Sequence, residues 1–256
     1  MSSNNSTTEG NTPAPGIEAL KAHIVLHKTE MFLWCTRLLT IIFTVLYLTP
    51  FWSFEGAYYK ALLANAATSA LRLHQRHPRF ILSREFLATV LSEDSFHYIM
   101  FSFIFSLVYP FAGALLPIFL FSVIHFASYS LTLLDTLGQN SWWGARLLIS
   151  LVELQSRIIL GLIASVEIVL MPILIILMLM KTASVITPFF YHQFLIMRYK
   201  SHRNPYTRIK FRQFRYLFEL VANHPQTPWL IRKLILSSIS GVCALCPPDT
   251  THAHAQ

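Results

Sequence analysis

The stretch IILGLIASVEIVLMPILIILMLM, Ile158–Met180, carries one ionisable side chain, Glu167, in twenty-three residues. A helix rises about 1.5 Å per residue and needs roughly 20 apolar residues to cross the hydrocarbon of a bilayer. The stretch is long enough to span, and Pro172 predicts a kink within it. A soluble protein would have to bury all of it. The rest of the chain is therefore read as something done in or on a membrane.

Upstream, Ser141 begins a predicted helix with Trp142 and Trp143 at its start. Arg146, Ser150, Glu153 and Arg157 follow at helical spacing on one side, the pattern of a helix lying in the interface. Further back, Phe96–Leu134 holds no Lys, Arg, Asp or Glu over thirty-nine residues. That is too long for one span and short of two full ones. Pro110, Gly113 and Pro117 mark possible bends, so a shallow hairpin and a single span followed by a membrane-lying segment both fit.

Two earlier apolar runs complete the membrane domain. Leu38–Phe54 opens after Arg37 and closes near Trp52, a residue type favoured at the water boundary. Ala57–Leu71 is short and rich in Ala, Ser and Thr, which suits close helix approach in lipid. It can span a thinned bilayer, form half of a hairpin, or lie on the surface. The basic loop RLHQRHPRF, Arg72–Phe80, follows, and Ser83 can cap a helix whose Phe86, Leu87, Val90 and Leu91 share a face.

The composition agrees, with 54% apolar and 12% charged residues against about 25% charged in soluble domains. Twenty Lys and Arg outnumber twelve Asp and Glu, a formal charge of +8. Beside apolar spans, that excess marks a cytoplasmic face and attraction to anionic lipid rather than nucleic acid. If Leu38–Phe54 and Ala57–Leu71 both cross, the non-cytoplasmic loops hold only Arg146 and Arg157, apart from Lys60 near a span edge. Charge bias thus favours four spans with both ends cytoplasmic. The Ser/Thr/Asn/Pro-rich stretch Met1–Gly16 lacks a signal-peptide pattern, and its Asn4 and Asn5 each begin a glycosylation sequon. Cys35, Cys243 and Cys246 cannot build a disulfide framework, and the last two, beside an interfacial helix, are candidates for palmitoylation.

The C-terminal quarter is basic and aromatic. Pro205 can start a helix after Asn204, with Phe211, Phe214, Leu217, Phe218 and Val221 on one face and Arg208, Arg212 and Arg215 on another, beside Lys210. Thr227-Pro228 then opens a second helix, starting at Trp229, in which Arg232 and Lys233 flank Leu230, Ile231, Leu234, Ile235 and Ile239. Such helices bind anionic membrane surfaces, cap the protein's own loops, or dock in a partner's groove.

The expected fold is an all-α integral membrane protein. It has about four transmembrane or hairpin-type helices, interfacial amphipathic helices and a cytosolic helical C-terminus. The predicted divisions are a disordered polar tail (1–30), a multi-span domain (31–200), a basic amphipathic region (201–246) and a disordered tail (247–256). Intramembrane Glu167 calls for a function or a paired partner, although none is evident; burial favours its neutral form, and a channel or transporter would use it. His125, in an apolar run, reads as a hydrogen-bonded packing residue. Glu93, Asp94 and His97, with His74 and His77, could ligate a metal, but no two-histidine helical motif accompanies them; Cys243 and Cys246 with His252 and His254 are spaced irregularly for zinc. No catalytic set and no cofactor is expected.

Four segments carry a resemblance: KALLANAATSALRLHQRHP (Lys60–Pro78), LSREFLATVLSEDSFHY (Leu82–Tyr98), Glu167 spaced before Met171-Pro172, and YKSHRNPYTRIKF (Tyr199–Phe211). In this order they resemble the transmembrane protein 33 (Krüppel homologue 2) family, to which the yeast pore-membrane proteins are related. The resemblance runs from about Leu33 to Ser240. It implies residence in the endoplasmic reticulum membrane and nuclear envelope and a non-enzymatic role. It also implies association with reticulon-type proteins, effects on the tubular reticulum, and links to the unfolded-protein response and to nuclear pore assembly. The family's C-terminal amphipathic region is associated with membrane binding.

Overall fold

The computed structural model describes residues 16–49, 55–78, 83–139, 142–154, 156–201 and 204–245, and every regular element among them is helical. In chain order these are α1 (Ile17–Leu26), α2 (Lys28–Leu48), α3 (Glu55–Arg76), α4 (Arg84–Leu91), α5 (Asp94–Ser106) and α6 (Ala112–Leu137). Then come α7 (Trp143–Ile149) with a π-helical turn at Ser150–Leu154, α8 (Ser156–Leu179), α9 (Ile186–Lys200), α10 (Tyr206–Ala222) and α11 (Trp229–Leu245). Three stretches are long and apolar enough to cross a membrane: Lys28–Leu48, Ala112–Leu137 and Arg157–Leu179. Asn4, Asn5, Trp52, Cys246, His252 and His254 lie outside the described residues.

Each long apolar helix has an antiparallel companion. Thr68 of α3 donates to Thr36 of α2 at 2.9 Å, while Tyr47 and Tyr58 meet near the turn between the two helices. Thr36, Thr40 and Thr44 each bond back to their own helix, at Leu33, Thr36 and Thr40. The backbones of α2 and α3 can then close on a stripe that includes Ala57, Ala61 and Thr68. On its other side α3 pairs with α5, where Asn65 donates to Ser102 at 2.8 Å and Tyr58 to the Phe105 carbonyl at 3.1 Å. Packed on both sides, α3 is the return arm of a hairpin and not a lone surface helix.

The uncharged run resolves as a hairpin as well. Helix α5 ends at Ser106, the chain turns through 107–111, and α6 returns with Pro117 buried inside it. Tyr98 and Phe121 lie 5.0 Å apart between the arms. Trp34 locks α6 to α2, donating to Ser130 at 2.8 Å and stacking on Phe126 at 5.0 Å. The third pair is α8 and α9. Phe101, Phe105, Leu115, Ile118, Leu170, Leu174, Tyr191 and Phe194 form the shared core.

This alternation corrects the predicted placement of Arg146 and Arg157. Because α5 and α6 are two arms, α7 emerges at the end of the bundle that holds the start of α2, the end of α3 and the end of α9. Both arginines lie there. Among the described residues only Lys60 and Lys181 remain toward the opposite end, so the charge asymmetry is stronger than the four-span arrangement allowed. Residues 17–26, expected in a disordered tail, form α1 instead. It is held to α6 by the Gly16 amide on the Thr136 carbonyl (3.1 Å) and by Tyr129 facing His23 (3.3 Å).

Caps follow the local sequence. Ser83 accepts from the Phe86 amide at 3.0 Å, as its position before α4 predicts. α6 ends in a Schellman motif whose left-handed residue is Gly138 (φ 77°). α8 ends in the same motif, with Thr182 and Lys181 amides bonding to Leu177 and Met178, but its left-handed residue is Lys181 at φ 61°. That conformation costs a side-chain-bearing residue roughly 1 kcal/mol. Lys181→Gly is therefore expected to stabilise the protein by about 0.5–1 kcal/mol, read as a raised thermal midpoint in detergent.

Candidate functional site

The amphipathic hairpin of α10 and α11 gathers most of the sequence-predicted surface residues. Asn204 accepts from the Tyr206 amide at 3.1 Å, and Pro205 precedes the first turn of α10. The helix is seated at its two ends by buried Thr207 and Ala222. Phe211 meets the Tyr199 ring of α9 edge-on at 5.9 Å. The stem of Lys210 lies along α8 at Gly161, where an added Cβ would come within 3.2 Å of it. These contacts fix α10 to the bundle.

Much of the apolar surface is left uncovered. Leu217 and Phe218 of α10 are each 51% exposed, and Trp229 and Leu234 of α11 are 73% and 61% exposed. Phe214 stacks on Phe218 at 6.4 Å. Arg208 and Arg212 belong to the same helix as Leu217 and Phe218, and Arg232 and Lys233 to that of Trp229 and Leu234, whereas Arg215 is held by Glu219 at 2.7 Å. Cys243 is exposed, with its sulfur 3.9 Å from Arg215 Nη1.

Inside the bundle, Glu167 of α8 has the partner that the sequence did not reveal. Arg198, near the end of α9, places Nε 3.1 Å from Glu167 Oε2, and both side chains are 0% exposed. Tyr98 donates to Glu167 Oε1 at 2.8 Å, and Tyr191 donates to the Glu167 carbonyl at 2.7 Å. The same guanidinium lies over the Tyr98 ring (5.3 Å) and gives Nη1 to Asp94 at 3.1 Å; Asp94 also accepts from Ser201 at 3.0 Å. One arginine thus ties α5, α8 and α9 together. Of the readings open to Glu167, the paired partner is the one found, an ion pair with Arg198 in place of a neutral carboxyl. In sequence Arg198 looks like an ordinary basic residue closing an apolar run; burial alone distinguishes it.

The candidate metal group separates into pairs. Glu93 is bonded by Arg76 and lies 3.7 Å from His77, while Asp94 is taken by Arg198. His97 sends Nε2 to the Leu91 carbonyl at 2.8 Å. Among the described residues no cluster of three or more such groups could hold a metal ion. His125 of α6 sits against the Phe121 ring at 4.8 Å and faces a polar cavity between α2, α3, α5 and α6.

Antiparallel apolar hairpins, an internal ion pair and a basic, membrane-type hairpin at one end define a multi-pass α-helical membrane protein. The chain belongs to the Transmembrane protein 33/Nucleoporin POM33 family, whose profile matches residues 12–248. It is 48% identical over 229 residues to Krueppel homolog 2 of Drosophila melanogaster, covering 89% of this chain and 82% of that protein. Transmembrane protein 33 of Homo sapiens is 40% identical over 227 residues, covering 88% and 92%. The Caenorhabditis elegans homolog is 35% identical over 234 residues, covering 90% and 86%. No solved structure matches the chain.

Proposed function

We propose that this protein is a non-enzymatic organiser of endoplasmic reticulum and nuclear-envelope membrane. It acts through the α10–α11 hairpin on the cytosolic leaflet, with reticulon-type proteins and nuclear pore components as partners and a link to the unfolded-protein response. The observation that carries this reading is the hairpin itself. Exposed Phe218, Trp229, Leu230 and Leu234 stand beside Arg208, Arg212, Arg232 and Lys233, which supplies an apolar face for one leaflet and a charge for its headgroups. Membership of a family described by a nucleoporin supports the nuclear-envelope assignment. A channel using Glu167 has less support, because Arg198 and Tyr98 occupy both carboxylate oxygens.

Raised expression should shift the balance between reticulum tubules and sheets, and deletion of residues 205–246 should weaken that effect. Unchanged morphology under both manipulations rejects the mechanism. Sidedness is tested separately. Charge bias supports a cytosolic position for the basic end. In sealed microsomes an impermeant maleimide should therefore label Cys243 directly, and a Tyr109→Cys site at the α5–α6 turn only after permeabilisation. Immediate labelling at 109, or a glycan on Asn4 or Asn5, would invert the orientation.

A further inference from the structure

Arg37 lies within the first apolar helix, 4% exposed, and its Nη2 has no hydrogen-bond partner. Nine residues beyond Lys28, it sits about 14 Å in from the start of α2. A guanidinium so fully buried is expensive when uncompensated, so such a group ordinarily has an anion to answer it. Among the described residues no carboxylate forms a salt bridge with Arg37 or with Arg72, its neighbour on α3. Glu30, the nearby acid that attracts both, is bonded by Gln75 at 3.2 Å.

Both arginines line a cavity of about 250 Å³, together with Arg76, Thr68, Ser122 and His125. Its one acid, Asp94, is already held by Arg198 and Ser201, and Arg76 is matched by Glu93. The unanswered charge is that of Arg37 and Arg72. Since a water occupies about 30 Å³, there is room for a polyatomic group. Arg76, with 41% of its side chain exposed, stands on the basic end, where headgroups or soluble anions would enter.

We propose that this cavity binds a phosphate group, presented either by a phospholipid headgroup or by a soluble phosphate. Two guanidinium forks, with the Ser122 hydroxyl and the His125 imidazole beside them, match a tetrahedral anion rich in acceptor oxygens. The occupant neutralises Arg37 and bridges α2 to α3 and α6. This site is separate from the exposed tail and does not depend on its role.

The test uses the full-length protein, delipidated in detergent, with thermal unfolding as the readout. One arm compares sodium phosphate with sodium chloride at equal ionic strength; the other compares phosphatidic acid with diacylglycerol of the same chains. The midpoint should rise in at least one arm: a rise with inorganic phosphate identifies a soluble ligand, and a rise with phosphatidic acid alone a headgroup. Arg37→Gln and Arg72→Gln should each weaken the effect by about tenfold or more, since a charge-assisted bond is lost. The ligand-free midpoint of Arg37→Gln should not fall, because the substitution removes an unpaired buried charge. Should Arg37→Gln fold poorly, the half-buried Arg72→Gln decides alone. Lys21→Gln, on exposed α1 where the lysine pairs with Glu18 outside the cavity, should leave the response intact. Absence of a rise in both arms, full affinity in the Arg72→Gln protein, or loss of the response in Lys21→Gln would each overturn the assignment.

Discussion

Arg198→Met should destabilise the protein by about 3–5 kcal/mol, the cost of leaving a buried carboxylate without its counter-ion. Glu167 would keep the Tyr98 hydroxyl but lose the guanidinium, and Asp94 would lose its bond from α9. The substitution thereby loosens three helices at one point. Thermal unfolding of the detergent-purified protein, alongside its steady-state level in membranes, measures the effect. Glu167→Gln should cost less, about 1–3 kcal/mol, because Arg198 retains Asp94 and the amide can still accept from Tyr98. The double change Arg198→Met with Glu167→Leu should recover part of the loss, since an apolar pair removes the uncompensated charge. An Arg198→Met protein as stable as the parent would show that the pair does not hold the bundle together. Ion flux abolished by Glu167→Gln in an otherwise stable protein would move the carboxylate from structure to transport.

Neutralising Arg208, Arg212, Arg232 and Lys233 together should shift membrane docking of the hairpin by about 4 kcal/mol, roughly a thousandfold, at about 1 kcal/mol for each basic residue near an anionic surface. Nitroxide labels at Phe218, Leu230 and Leu234 report it in nanodiscs. With anionic lipid they should be accessible to oxygen and protected from a water-borne relaxing agent; the neutralised protein should lose that protection. High salt should act in the same direction, because exposed charges are screened within about 10 Å at 0.1 M. Arg215 is omitted from the set because Glu219 already engages it. Labels that stay water-exposed on anionic membranes would mean that the uncovered apolar side chains serve a protein groove instead of a leaflet.

The charge pattern and the periodicities were legible in advance. The Ile158–Met180 stretch had to become a buried or membrane-embedded helix, since an unbroken apolar run of this length satisfies its own backbone away from water only as a helix. The spacing of Phe214, Phe218 and the neighbouring arginines made α10 amphipathic whatever it packs on. Ser83 announced the start of α4 by its side-chain oxygen. The length of Ala57–Leu71 did not settle whether that run crossed, returned or lay flat. Neither did the absence of charge in Phe96–Leu134 settle how often the chain turned. Both outcomes depend on which faces meet, and Asn65 on Ser102 and Tyr58 on Phe105 decide them across 37 and 47 residues of chain.

The sequence alone determined that the chain is helical, membrane-embedded and basic at its C-terminus, because hydrophobic patterning and charge act locally and survive in any arrangement of the helices. Tertiary structure alone decided that Arg198 answers Glu167, that Arg146 and Arg157 share an end with the N-terminal helices, and that Arg37 and Arg72 face a common cavity. A guanidinium reads identically in sequence whether it meets headgroups, a buried carboxylate or an empty space. Its partner is set by the packing of helices distant along the chain.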